Sequence, residues 1–232
     1  MEISLFQGDL PANAKAKHYS LIVFDWDGTL VNSISRIVHS LKAAAEASQL
    51  PILTEEAYED VIGLGMPEAT MKLYPEHANS HEQFRNQYRE SYLIAEAKPA
   101  PLYSGVEQGL ILLKQAGYRL AVATGKSRRG LNRMLNQRAW HDLFEVTRCA
   151  DETRSKPDPL MLTEILDETQ LTAEQVLMVG DSEYDVAMAA AINIDRVAVT
   201  YGVHAKQRLL DHSPIKCVDQ FQELVNWLVD IK

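Results

Sequence analysis

The sequence predicts an α/β fold in which a doubly wound, Rossmann-like parallel sheet carries an inserted all-helical domain. Three observations support this prediction: short apolar runs rich in branched residues, amphipathic helical patterns between them, and one long interval with helical patterns only. Buried parallel strands are continuous apolar runs, and their alternation with helices is typical of doubly wound sheets. The predicted strands are 21–24, 120–123, 176–179 and 197–200.

The remaining elements follow from weaker patterns. A fifth strand is predicted at 145–149, and helices are predicted at 105–116 and 159–169, each before a strand. Within the helical interval, apolar residues recur at helical spacing: Val31, Ile34, Ile37, Val38 and Leu41. The predicted organisation is an N-terminal extension over 1–19, an α/β core over 20–33 and 100–232, and a helical insertion over 34–99.

Composition narrows the class of protein. Apolar residues make up 46% and charged residues 24% of the 232, which is typical of a globular chain, and the net charge of -9 argues against a nucleic-acid or anionic-membrane surface. The two cysteines, Cys149 and Cys217, have no spacing that indicates a disulfide framework or a zinc site. No signal peptide or membrane span is recognised, so a cytoplasmic protein is expected, as a monomer or homodimer.

The strongest motif is Asp25-Trp26-Asp27-Gly28-Thr29-Leu30, directly after the first strand. Strand alternation sends the carboxylates of Asp25 and Asp27 to one side. Two adjacent like charges require a cation or a shared proton, and a carboxylate can attack phosphorus while a second one protonates the leaving oxygen. Gly28 permits the tight exit from the strand, and a solvated turn is the simpler alternative for this segment taken alone.

A second group of polar residues follows the strand at 120–123. Thr124 and Gly125 supply a hydroxyl and an accessible amide that suit a phosphate oxygen, although Thr124 could instead cap the next helix. Lys126 and Arg128 come next, near a helix start where cations are disfavoured, which indicates an anion nearby. Neither is given a catalytic role, and Arg129 and Arg133 are interpreted as a solvated basic face.

Two further segments complete the pattern. Lys156 precedes a helix opened by prolines, from which its ammonium could reach a nucleophile and a phosphate. Asp181 and Asp185 lie in Gly180-Asp181-Ser182-Glu183-Tyr184-Asp185, after the strand at 176–179. Such hard oxygen ligands suit magnesium, while capping of the following helix by Asp181 and Ser182 is the structural alternative and is compatible with metal binding.

In this order, the four motifs resemble the haloacid dehalogenase superfamily over residues 20–232, and the insertion resembles that superfamily's helical C1-type cap. The stretches GVEQGLILLKQAGYRLAVATGKS and VIGLGMPEA are most similar to its phosphoglycolate phosphatase-like branch. The resemblance implies a phosphoric monoester hydrolase that forms an aspartyl phosphate. It is specific for fold and chemistry and much less so for substrate.

The resemblance also implies a role for each motif residue. Asp25 would be the nucleophile and Asp27 the general acid/base, with Thr124 as a phosphate ligand and Lys156 balancing charge. Gly28 and Gly125, with Thr124 and Lys156, would contact the substrate. The Mg²⁺ ligands would be Asp25, the Asp27 backbone carbonyl and Asp181, with Asp185 as a ligand or as a partner behind the ligands.

Several alternatives stay open at this stage. A sugar phosphomutase of the same fold would retain both aspartates, and a catalytically silent metal-binding module would use the insertion to recruit a protein. The expected substrate is a small phosphorylated metabolite: phosphoglycolate, a sugar phosphate or a nucleotide. The turn at 63–67 is a candidate for the loop that reaches the substrate, and the insertion is expected to move during the reaction. A plain connection between helices is the alternative for that turn.

Overall fold

The structure, a computed structural model, describes residues 19–230 and contains one parallel sheet of six strands in that range. The strands are β1 (Leu21–Phe24), β2 (Arg119–Thr124), β3 (Val146–Cys149), β4 (Val176–Gly180), β5 (Asp195–Val199) and β6 (Lys216–Val218). Their spatial order is β3-β2-β1-β4-β5-β6, so β1 lies between β2 and β4. The predicted α/β fold class is therefore confirmed.

All five predicted strands are present, and their ends lie close to the predicted ones. The sixth strand, β6, was not predicted. It pairs only with β5 at the edge of the sheet and has three residues, of which only Val218 is buried. So short a segment has too few residues to show a strand period in the sequence.

Helices connect the strands and cover both faces of the sheet. They are α1 (Ile34–Ala47), α2 (Glu55–Glu59), α3 (Met66–Leu73), α4 (His81–Ala95), α5 (Val106–Gln115), α6 (Arg128–Arg138), α7 (Leu160–Thr169), α8 (Glu183–Ala191), α9 (Lys206–Leu210) and α10 (Phe221–Val229). Short 3-10 turns lie at Ala78–Ser80 and Ala173–Gln175. The helices predicted at 105–116 and 159–169 correspond to α5 and α7.

The side chains of β1 alternate between two apolar clusters, one on each face of the sheet. Ile22 and Phe24 belong to a cluster with residues of α5 and α10, and Leu21 and Val23 belong to another with residues of α7 and α8. This alternation is the period of two expected of a strand. Because both faces are buried, the strand reads as a continuous apolar run.

The helices α1 to α4 share a separate apolar cluster, within which α1 packs along α4. The predicted helical pattern of apolar residues from Val31 to Leu41 is interrupted at its start, because Val31 is not helical. It forms isolated bridges with Asp27 and Leu102, and the helix begins at Ile34. The division at 34 and 99 stays a prediction, and we call residues 34–99 the cap on that basis.

Residues 1–18 of the predicted N-terminal extension lie outside the described part of the chain. Tyr19, its last residue, is buried, and its hydroxyl donates to Asp195 at 2.8 Å. Within residues 19–230 no helix combines the length and apolar character that crossing a bilayer requires. Cys149 and Cys217 are both free thiols.

Candidate active site

Three carboxylates meet at the carboxyl ends of the neighbouring strands β1 and β4. Asp25 follows β1, Asp181 follows β4, and Asp185 lies in the first turn of α8. All three are buried, and each offers an oxygen atom within 4.8 Å of the others. We call these three residues, together with Lys156, the acidic edge.

Lys156 joins two of the carboxylates of the acidic edge. Its Nζ lies 2.6 Å from Oδ1 of Asp25 and 2.5 Å from Oδ1 of Asp185, and its side chain is fully buried. Burial acts to lower the pKa of Lys156, but the carboxylates of Asp185 and Asp25 outweigh it and raise the pKa above its ordinary value. The ammonium group therefore stays charged and holds Asp25 in a fixed orientation.

Asp185 is held by hydrogen bonds on both of its oxygens. Oδ2 accepts from the backbone N–H of Ser182 at 3.0 Å and from its hydroxyl at 2.6 Å, while Oδ1 faces Lys156. Ser182 is the N-cap of α8, and the pair forms a capping box. The predicted helix cap is therefore found at Ser182 with Asp185, and Asp181 is directed elsewhere.

Asp181 is oriented by neighbours from two loops. The hydroxyl of Thr29 donates to Oδ1 at 2.7 Å, and the backbone N–H of Val203 donates to Oδ2 at 2.8 Å. Gly28 has a φ of +87°, and a Cβ there would lie 2.0 Å from Oδ2 of Asp181. Only glycine fits this position, because any side chain would displace the carboxylate.

The acidic edge carries more negative charge than its lysine can balance. Burial raises the pKa of Asp25 well above its ordinary value despite Lys156, and burial together with Asp185 raises the pKa of Asp181 to about 7. Oδ2 of Asp25 is buried with no hydrogen-bond partner among the described residues. A divalent cation would supply both the missing charge and a partner for that oxygen, and hard carboxylate donors suit such an ion. These residues therefore fit a divalent metal ion.

The carboxylate of Asp27 faces a different set of neighbours. Its Oδ1 accepts from the hydroxyl of Ser33 at 2.6 Å, and its Oδ2 lies 2.8 Å from Nζ of Lys126. Trp26, between the two aspartates, packs on the opposite side against Trp140 and Phe144. The predicted alternation is therefore observed, and only the backbone carbonyl of Asp27 is left as a candidate metal ligand, which stays a prediction.

Thr124 and Gly125 lie at the end of β2, beside β1. The Thr124 hydroxyl oxygen accepts from the backbone N–H of Lys126 at 3.2 Å, which leaves its own hydrogen free to be donated. The cap of α6 is Ser127, whose hydroxyl accepts from Gly130 at 3.2 Å, so the alternative interpretation of Thr124 as a helix cap is wrong.

The predicted turn at 63–67 is a turn only up to Gly65, since Met66 and Pro67 begin α3, and it contacts the core beside these residues. A Cβ on Gly125 would lie 2.5 Å from the carbonyl oxygen of Leu64 and 2.7 Å from that of Gly63. The backbone N–H of Gly65 donates to the hydroxyl of Ser155 at 2.7 Å. Close approach of two backbones is the reason for glycine at these positions. The candidate loop thus reaches the strand ends.

Lys126 is the residue that sequence reasoning missed. Besides its ion pair with Asp27, its Nζ donates to the hydroxyl of Tyr92 at 3.1 Å and lies 4.9 Å from the centre of that ring. Its position directly after Thr124 and Gly125 was the available signal. Arg128, by contrast, turns away and forms an ion pair with Glu152 at 2.6 Å.

A cavity of about 170 Å³ lies between the strand ends and the cap. Asp25, Asp27, Thr124 and Gly125 line it on the core side. One face of α4 closes it with four residues that we call the cap face, namely Arg85, Tyr88, Arg89 and Tyr92. Apolar residues of the cap line the rest of that side: Ile37, Leu41, Val61, Ile62, Leu64, Met66 and Ala69.

The family of the chain follows from comparison with known proteins. A model of the haloacid dehalogenase-like hydrolase family matches residues 22–199, and the chain belongs to this family. A phosphoglycolate phosphatase of Vibrio cholerae is 31% identical over 207 residues, with 85% of this chain and 92% of that protein covered. A protein of Dickeya dadantii named "Probable phosphatase IndB" is 31% identical over 212 residues, with 88% and 91% covered.

A solved structure shows the same fold over nearly the whole chain. The crystal structure named as a "predicted phosphoglycolate phosphatase" from Haemophilus somnus aligns with a TM-score of 0.81 at 26% identity, covering 90% of this chain and 97% of that one. The predicted superfamily, its phosphoglycolate phosphatase-like branch and the enzyme class of phosphoric monoester hydrolase are confirmed by these relatives.

Proposed function

We propose that this protein is a Mg²⁺-dependent phosphomonoester hydrolase that acts on a small phosphorylated metabolite through an aspartyl phosphate on Asp25. The observation that carries the proposal is the buried contact of Lys156 with Asp25, beside two further carboxylates that one lysine cannot neutralise. Two relatives named as phosphatases, each covering most of the chain, support the reaction class.

The first half of the reaction uses both aspartates of the first motif. The carboxylate of Asp25 attacks phosphorus, and the bond between phosphorus and the leaving oxygen breaks. Asp27 gives its proton to that oxygen, so an alcohol departs. The hydroxyl of Thr124 and the backbone N–H of Gly125 would donate to the phosphoryl oxygens, whose negative charge must be balanced during transfer.

The second half restores the enzyme. Asp27, now a carboxylate, takes a proton from a water molecule, which attacks the phosphorus of the aspartyl phosphate and releases inorganic phosphate and Asp25. Lys156 keeps Asp25 oriented in both halves. Asp25 and Asp181 would hold the Mg²⁺, whose charge offsets the equatorial oxygens. Asp185, with both oxygens engaged, serves to position Lys156.

The test is phosphate release from a panel of phosphomonoesters with Mg²⁺ or with a chelator. The wild type should release phosphate only with the metal, and Asp25→Asn should show only the background rate, because an amide is a poor nucleophile. Asp167→Asn is the matched control, since Asp167 is exposed on α7 and does not line the cavity. Phosphate release by Asp25→Asn at the wild-type rate would overturn the proposal.

A wild type that acts on none of the esters would contradict the proposed reaction. Conversion of one sugar phosphate isomer into another without net phosphate release would instead indicate the phosphomutase alternative, which uses the same two aspartates.

A further inference from the structure

The cap face presents cations to the cavity at a distance from the proposed reaction centre. Arg85 and Arg89 lie one turn apart on α4 and both line the cavity with Tyr88 and Tyr92. Like charges four residues apart on a helix repel each other. Arg85 is half-buried and Arg89 is exposed, and an anion bound between their guanidinium groups would relieve this repulsion.

The four cations that line the cavity differ in their partners. Lys126 is paired with Asp27, and Arg133 is paired with Glu96 at 2.7 Å. Arg89 donates only to the neutral side chain of Asn86, at 2.9 Å. The guanidinium of Arg85 makes no hydrogen bond or ion pair with any residue in the range 19–230. The cap face therefore has charge to offer a ligand, whereas Lys126 and Arg133 have already been neutralised.

The rest of the cap side of the cavity is apolar. No Ser, Thr, Asn, Gln, Asp or Glu of the cap lines it. A leaving group with many hydroxyls would lose hydrogen bonds to water there without replacing them, which disfavours its binding. A carbon chain would be stabilised by burial against the same apolar residues.

The helix also sets the distance between the two ends of the ligand. Tyr92 contacts Lys126, which contacts the acid/base Asp27. At about 1.5 Å per residue, Arg89 lies roughly 4.5 Å and Arg85 roughly 10 Å along α4 from Tyr92. Helical side chains lean toward the N-terminus, so the guanidinium groups extend farther from Asp27. A ligand that meets both arginines must therefore be longer than a two-carbon acid.

We propose that Arg85 and Arg89 bind a second anionic group, carboxylate or phosphate, at the far end of an extended, hydroxyl-poor leaving group that lies along the apolar wall of the cap. This inference rests on the proposed phosphatase function and specifies its substrate class. It distinguishes the substrate from polyhydroxylated sugar phosphates, which the wall disfavours, and from phosphoglycolate, whose carboxylate lies too close to phosphorus to reach Arg85.

The test compares esters that differ only at the far end. The pairs are 6-phosphooxyhexanoate with hexyl phosphate, and 2-phosphoglycolate with ethyl phosphate, and 1,6-hexanediol bisphosphate separates phosphate from carboxylate recognition. For the wild type, kcat/KM should be at least about tenfold higher for the six-carbon anionic esters than for hexyl phosphate, the size expected of one charge-assisted contact. The two-carbon pair should show a smaller preference.

The variant Arg85→Gln/Arg89→Gln should lose the six-carbon preference while its kcat/KM for hexyl phosphate changes by less than about twofold, since the reacting groups are untouched. Arg129→Gln, which removes an exposed arginine that does not line the cavity, is the matched control and should keep the preference. A wild type without the preference, or a double variant that retains it, overturns the inference.

Binding separates this inference from the proposed function. Calorimetry with Asp25→Asn should show tighter binding of 6-phosphooxyhexanoate than of hexyl phosphate, and the preference should disappear when the two arginines are also replaced. This result together with no hydrolysis by the wild type would overturn the phosphatase proposal and keep the anion site. Hydrolysis of both esters by the wild type, together with equal affinities of the variant for them, would keep the phosphatase proposal and overturn the anion site.

Discussion

The acidic edge and the cap face border the same cavity but are built in opposite ways. The acidic edge comes from strand ends and loops of the sheet, is fully buried, and has its lysine held between two carboxylates. The cap face comes from one helix, and Arg85 on it has no ion pair within the described residues. This difference agrees with the two proposals, in which residues of the sheet carry out the reaction and the cap arginines bind the far end of the substrate.

The largest expected effect comes from removing the charge that holds the acidic edge together. Lys156→Met would leave buried carboxylates without their ammonium group, which typically costs about 3–5 kcal/mol of unfolding free energy. Activity should fall by about a thousandfold as Asp25 loses its orientation. Urea unfolding and phosphate release measure the two effects.

The control for this variant is Lys206→Met, at an exposed position that starts α9. Its free energy of unfolding should stay within about 0.5 kcal/mol of the wild type. Equal stability of both variants would show that Lys156 is not the residue that holds the acidic edge together.

A second prediction concerns Lys126, which contacts Asp27 beside the acidic edge and Tyr92 of the cap face. Lys126→Met should lower kcat by about a hundredfold, because Asp27 loses a charged partner that fixes its position. Tyr92→Phe removes only the hydrogen bond from the cap and should lower kcat by less than about tenfold. Steady-state kinetics of both variants and of the double variant would measure the coupling.

If the hydroxyl of Tyr92 acts through Lys126, the two losses should not add. Full additivity would mean that the cap contact influences the reaction by another route. A wild-type kcat for Lys126→Met would remove Lys126 from the account of the site altogether.

The smallest effect concerns a contact behind the acidic edge. Nδ1 of His204 accepts from the backbone N–H of Glu183 at 2.9 Å, and burial together with Arg208 lowers the pKa of His204 from 6.5 to about 4. Below pH 6.5 this imidazole is protonated in the unfolded chain, whereas in the folded protein it stays neutral until about pH 4. The free energy of unfolding should therefore fall as the pH drops through that window, by about 2 kcal/mol between about pH 7 and about pH 5.

This loss would be read as the difference between the wild type and His204→Gln in urea unfolding at the two pH values. His39→Gln, at an exposed position on α1, is the control and should follow the wild type. The same pH dependence in His204→Gln would assign it to other groups.

The acidic edge was largely predictable because its residues stand at strand ends. A buried parallel strand is recognisable as an apolar run, and the carboxyl ends of such strands meet at one edge, so Asp25 and Asp181 were expected at the same edge of the sheet. Their contact also requires that β1 and β4 are neighbours, which the structure provides. The prolines after Lys156 indicated that its ammonium could reach a nucleophile, but its role in balancing charge came only from the resemblance. The position of Asp185 behind Lys156 required the geometry of the capping box.

The cap face was not predictable in the same way. Its residues recur at helical spacing, but their orientation depends on how α4 packs on α1 and how the cap lies over the sheet. Lys126 was passed over for a related reason: a lysine near a helix start is usually solvated, and only the tertiary contact with Tyr92 and Asp27 removes it from water. Tertiary placement, rather than local pattern, decides the function of such residues.

The central claim is that a phosphoryl group is transferred to Asp25, and mass spectrometry of rapidly quenched enzyme tests it most directly. With p-nitrophenyl phosphate, whose leaving group needs no proton from Asp27, Asp27→Asn should slow only the attack of water and accumulate the intermediate. The peptide that contains Asp25 should then gain the mass of one phosphoryl group and lose it on treatment with hydroxylamine. Asp25→Asn should show no such gain. Phosphate release by an enzyme that never carries a phosphoryl group on that peptide would contradict the account.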